Sequence, residues 1–176
     1  MAYGIEAWGS ACKTETDKLF ILQKKAVRIL TENQYFQIYG EVAGPLPPSE
    51  PLFSKLGILK FDDIFHFSIS KFVYSTLCKI IPETFFDWFT YVSDTHNYAT
   101  KSSAIISTNN YFDVGTAESS YNLYICGTRL VMYGDRLIKV YGARIWNKIP
   151  FYIQDVTTIA TFKSKLKEFL ISKYAI

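Results

Sequence analysis

Residues 15–32 read ETDKLFILQKKAVRILTE, and within them Leu19, Leu22, Ala26, Ile29 and Leu30 recur at three- and four-residue steps. That period gathers the five side chains on one face of an α-helix. Lys18, Lys24, Lys25 and Arg28 fall largely off the stripe. The stretch therefore predicts an amphipathic helix, opened by Thr14 or Thr16 as cap, with its apolar side turned to a core.

Two more helices follow from the same logic. Residues 61–81 are apolar at nearly every position, with Asp62 and Asp63 at the amino end, where the helix dipole favours carboxylates, and Pro82 just beyond. They predict a mostly buried helix, followed by a shorter one over 83–89. Residues 159–173 repeat the amphipathic pattern, with Ile159, Phe162, Leu166, Phe169 and Leu170 inward, lysines outward, and Thr157 or Thr158 as cap.

The intervening segments are different. Residues 40–51 hold Gly44, Pro45, Pro47, Pro48 and Pro51, whose fixed φ angles and missing donors predict an extended linker. Residues 93–120 are polar and aperiodic and predict loop, with room for one short strand. Residues 121–125 and 137–141 alternate enough to predict two short strands about a turn near Gly134. The expected fold is α+β and helix-dominated: amphipathic helices on one core, with a short strand pair in the second half. The expected organisation is a helical region over 1–39, a Pro-rich linker over 40–51 and a carboxy-terminal domain over 52–176.

Composition limits the function. The chain has 176 residues, a hydrophobic fraction of 49% and a charged fraction of 20%, enough apolar mass for a packed interior and too much for global disorder. Aromatics make up 17%, and a chain so rich in flat side chains exposes some of them unless a neighbour covers them. Net charge is +3, a mild excess with an uneven distribution. Residues 82–120 are acidic, whereas 122–148 and the tail carry Arg129, Arg136, Lys139, Arg144, Lys148, Lys163, Lys165, Lys167 and Lys173. Cys12, Cys78 and Cys126 are odd in number and far apart, which suits reduced intracellular thiols better than a disulfide framework or a zinc site. Charges at Lys71, Lys79, Glu83 and Asp87 interrupt the apolar run of 64–92 before it reaches membrane-spanning length. Met1 does not open a signal peptide. A nuclear or cytoplasmic location is expected, away from membranes.

Enzymatic signatures are weak. Tyr133-Gly134-Asp135-Arg136 shares its outline with the metal-binding hairpin of polymerases, but Arg136 stands where a second carboxylate would be needed, and a cation there repels metal ions. His66 and His96 are thirty positions apart, and neither has the setting of a ligand or general base. No catalytic residue, metal site or cofactor is assigned. What remains is cationic: Lys24, Lys25 and Arg28 on the first helix, Arg144, Trp146 and Lys148 in a cluster, and Lys163 and Lys167 on the last helix. Such groups neutralise phosphates and stack on bases. They also make ordinary solvated helix faces. For Trp146 the neighbours Ile145, Ile149 and Pro150 favour a role in the core.

Six stretches in order carry a resemblance. They are residues 3–9 (YGIEAWG), 22–29 (LQKKAVRI), 51–59 (PLFSKLGIL), 96–101 (HNYATK), 142–150 (GARIWNKIP) and 162–167 (FKSKLK). Together they resemble the end of the thumb and the post-polymerase region of non-LTR retrotransposon reverse transcriptases of the LINE-like and jockey-like kind. The resemblance implies a parent RNA-directed DNA polymerase of a transposable element, with its endonuclease and its divalent-metal site, of the Mg type, upstream of Met1. It implies RNA or DNA and the upstream polymerase domain as partners. It also implies a first-helix face normally covered by the thumb, so that self-association is expected without it. Two departures stand out: the proline-rich segment is long, and Lys101 replaces an expected arginine, which weakens bidentate phosphate contact. The missing lead-in helix and the start at Met1 are those expected of a fragment. A protein-interaction or structural module without nucleic-acid binding, and a non-functional mobile-element remnant, stay open beside this reading.

Overall fold

The computed structural model describes residues 3–31, 48–95, 121–127 and 137–174. Its helices are α1 (Ile5–Trp8), α2 (Lys13–Leu30), α3 (Glu50–Leu56), α4 (Phe61–Leu77), α5 (Val92–Thr95), α6 (Ile138–Trp146), α7 (Phe151–Gln154) and α8 (Ile159–Ser172), with a 3-10 helix over Glu83–Trp88. The described part is thus helix-dominated, as the periodicities required. The chain divides into two compact units, Met1–Phe67 with Ser164–Ile176, and Ser68–Lys163.

In the first unit Val27, Leu52, Phe53 and Tyr174 form a buried cluster, with Phe20, Leu56, Ile58 and Ile171 packed against it. α3 opens with Pro51 in its first turn, the one part of a helix where the absent N–H costs nothing. Residues 50 and 51 of the expected linker are thus helical, and residues 40–47 lie outside the described residues. Gly57, at φ 61°, ends α3. The bonds Ile58 N–H to Phe53 O (3.0 Å) and Gly57 N–H to Ser54 O (3.1 Å) make the Schellman arrangement that a left-handed glycine permits. Gly9 lies so close to Phe65 that an added Cβ would stand 2.3 Å from its ring.

α2 forms where expected, but its orientation corrects the reading of its stripe. The buried residues are Thr16, Gln23 and Val27, while Ile21, Leu22, Ile29 and Leu30 are 52%, 54%, 70% and 70% exposed. The inward side is the one that carries Val27 and Phe20 onto Phe53, and it takes Gln23 with it, whose Nε2 donates to Leu59 O at 2.8 Å at a position that the apolar period alone leaves outside. Nor does either threonine cap the helix; Cys12 precedes it without a side-chain capping bond, and its Sγ accepts instead from Thr14 Oγ1 at 3.3 Å.

In the second unit α4 stops at Leu77, short of Pro82, because Lys79 takes a left-handed conformation (φ 55°). Ile80 N–H then reaches Ser75 O at 2.9 Å and Lys79 N–H reaches Thr76 O at 3.0 Å, the same helix-ending pattern as at Gly57 but on a residue with a Cβ. α8 runs Ile159–Ser172, with Phe162, Leu166 and Leu170 buried. Thr158 is its cap, its Oγ1 accepting from Thr161 N–H at 3.2 Å.

The expected strand pair does not form. Residues 138–141 belong to α6: the three-residue step Val140, Ala143, Trp146, all buried, outweighs a five-residue alternation too short to separate the two periods. Within 121–125 there is a single antiparallel bridge, Tyr91 to Leu123, and no sheet among the described residues. The side of Leu123 where another strand would pair is already occupied. Asn147 fills it, its Oδ1 accepting from Leu123 N–H at 2.8 Å and its Nδ2 donating to Leu123 O at 2.9 Å. The turn near Gly134 and most of 93–120 lie outside the described residues; of the latter, 93–95 belong to α5.

Candidate nucleic-acid interface

The eight residues singled out as cationic or stacking groups are not equivalent once folded. On α2, Lys24 is half-buried with Nζ 4.3 Å from the centre of the Phe20 ring, a cation–π contact that turns it inward along the helix flank. Arg28 is also half-buried, whereas Lys25 is exposed. Lys24 adds to the field around Glu50, whose carboxyl is held below its ordinary value first by its own backbone N–H and, against the cost of burial, by Lys60, 3.6 Å away.

On α6 and just after it, Arg144 is half-buried and Lys148 exposed. Trp146 is only 2% exposed. Its ring lies 5.9 Å from Phe162, which in turn stacks on Tyr74 at 4.4 Å, and its Nε1 donates to Tyr121 O at 3.1 Å. Gln154 Nε2 donates to Trp146 O at 2.7 Å. Both the ring and the polar atoms are used inside the second unit, so Trp146 offers no face to a base and acts as a core anchor. Tyr74, whose hydroxyl donates to Val156 O at 2.8 Å, has its phenol pushed up to about 12 by burial first and then by Cys78.

Lys163 and Lys167 are exposed and stand four positions apart along α8, one above the other on the same side. Among the described residues no carboxylate pairs with Lys25, Lys148, Lys163 or Lys167. An exposed cation without a counter-ion is what a phosphate replaces water around most readily. These four lysines are the candidates turned fully outward, while Lys24 and Arg28 sit on the flank of α2 and Arg144 is partly covered.

One polar cluster was not legible in the sequence. Tyr174 donates its hydroxyl to Asp63 Oδ2 and accepts from Lys60 N–H at 3.0 Å, while Lys60 Nζ lies 4.5 Å from the Tyr174 ring. His66 Nδ1 approaches the other Asp63 oxygen at 3.8 Å. Burial raises the Asp63 pKa, but the bonds from His66 and Tyr174 outweigh it and leave the carboxyl below its usual range. The Tyr174 phenol is pushed up, by burial and then by Asp63. More than a hundred residues separate Tyr174 from these partners, so no local pattern announces them.

Among the described residues no group of three His, Cys, Asp or Glu side chains is placed to hold a metal ion, and no helix is long and apolar enough to cross a membrane. Cys12, Cys78 and Cys126 form no disulfide. Residues 96–101 and 133–136 lie outside the described residues. No family model matches the chain, and no curated protein or solved structure does either.

Proposed function

We propose that this chain is the carboxy-terminal, post-polymerase region of a non-LTR retrotransposon reverse transcriptase. It assists the parent protein in holding RNA or DNA template and has no polymerase site of its own. The observation that carries the nucleic-acid part is the set of outward lysines, Lys25, Lys148, Lys163 and Lys167, exposed on helical or helix-flanking positions without a described carboxylate beside them. The parentage rests on the ordered sequence resemblance. Within three of those stretches the residues also have local structural roles, the close approach at Gly9, the left-handed Gly57 and the Trp146–Asn147 anchor.

Phosphate neutralisation releases counterions, and each lost contact flattens the dependence of log affinity on log salt by about 0.7 for a single strand. Gel shifts of single-stranded RNA and of nicked duplex across a salt series test the proposal. Combining Lys148→Glu, Lys163→Glu and Lys167→Glu should weaken binding by at least about tenfold and lower that slope by roughly 2. Unchanged affinity in the triple variant removes these lysines from the interface. A second reading, a protein-interaction module, draws on one observation of its own, the exposed apolar stripe of α2.

A further inference from the structure

We propose that the outer face of α2 docks an acidic amphipathic helix of a partner protein. Lys18, Ile21, Leu22, Lys25 and Ile29 recur at three- and four-residue steps and share one side of the helix. They are the residues turned outward, with Leu30 at the edge. Four large aliphatic side chains exposed by half or more form a patch on the order of a few hundred Å², the size at which a monomer's surface marks an interaction site. Helices that lie in grooves or against other helices use this spacing of anchors.

Charge decides the occupant. Residues 20–30 contain Lys24, Lys25 and Arg28 and no Asp or Glu. Lys25 rises from the middle of the stripe between Leu22 and Ile29, with no described carboxylate beside it. Lys18 has Glu15 at 2.9 Å, in an exposed pair that solvent screens heavily. A second copy crossing at the middle of the stripe would set Lys25 against its own kind. A nucleic acid would meet aliphatic side chains that give its bases no ring to stack on. A helix carrying Leu or Ile at three- and four-residue steps with Glu or Asp between them covers the apolar groups and pairs the lysines together. This assignment takes Lys25 out of the nucleic-acid set and is independent of whether Lys148, Lys163 and Lys167 touch phosphate.

The test is fluorescence anisotropy of the full chain with two synthetic helical peptides of about five turns. Both carry the same leucine stripe, one flanked by Glu and the other by Lys. The Glu peptide should bind at least about tenfold tighter than the Lys peptide. Leu22→Ser with Ile29→Ser, both at exposed positions, should abolish binding while circular dichroism and Tm stay as in the parent chain. Lys18→Glu with Lys25→Glu should reverse the preference in favour of the Lys peptide, which simple hydrophobic adhesion cannot do. Equal affinity for the two peptides, or no reversal, overturns the proposal. So does a dimer in sedimentation that the serine variant dissociates, or binding to phosphatidylserine vesicles that the Glu peptide fails to compete.

Discussion

Tyr174 connects two parts of the first unit through one hydroxyl, donating to Asp63 and accepting from the Lys60 amide. Its removal leaves a partly buried N–H without its acceptor and a carboxylate without its donor. Tyr174→Phe should therefore lower stability by about 1–3 kcal/mol. The pH dependence has two limbs. Asp63 has a lower pKa in the fold than unfolded, so its contribution is complete above about pH 4 and is lost as pH falls through the folded value. Tyr174 has a raised pKa, so its contribution is complete below about pH 10 and is lost as pH climbs beyond. Denaturant unfolding of Tyr174→Phe at acid, neutral and alkaline pH should show both limbs flattened. Limbs as steep as in the parent chain would assign the pH dependence to other groups. Nothing near Tyr174 in the sequence signals this role, whereas Trp146 could be placed in the core from Ile145, Ile149 and Pro150 alone.

Helix ends are set by backbone conformation that single residues permit or resist. Gly57 and Lys79 terminate α3 and α4 with the same pair of hydrogen bonds at nearly the same positive φ. Glycine adopts that conformation freely, while a residue with a Cβ carries about 1 kcal/mol of steric strain. Gly57→Ala should destabilise by about 1 kcal/mol, although an added Cβ would meet nothing within 4 Å. Lys79→Gly should stabilise by roughly 0.5 kcal/mol, the relieved strain being partly offset by the entropy of glycine in the unfolded chain. Thermal unfolding should move in opposite directions for the two substitutions; a fall in both would mean that the lysine conformation carries no strain. The glycine stop was consistent with residues 51–59. The lysine stop was invisible, because lysine has no preference for ending helices in this way, and Pro82 offered a plausible but later terminus.

For the whole molecule, the proposed parentage places polymerase chemistry in another part of the parent protein. The purified chain should thus extend no primed RNA template in the presence of Mg2+ or Mn2+, and incorporation of nucleotide above background would refute the proposal directly. The sequence by itself determined that helices dominate, roughly where α2, α4 and α8 lie, and that cations gather on α2, around residues 144–148 and on α8, since these depend on local period and composition. Tertiary structure alone decided which side of α2 faces inward, because Phe20 and Val27 find a long-range partner in Phe53, with Gln23 bonded to Leu59 beside them, a packing that no local pattern contains. It alone decided that 138–141 is helix rather than strand, and that Asn147 takes the place of a pairing strand beside Leu123. In each case the partner lies far along the chain or in a longer window, and the energy of the contact exists only once the two segments meet.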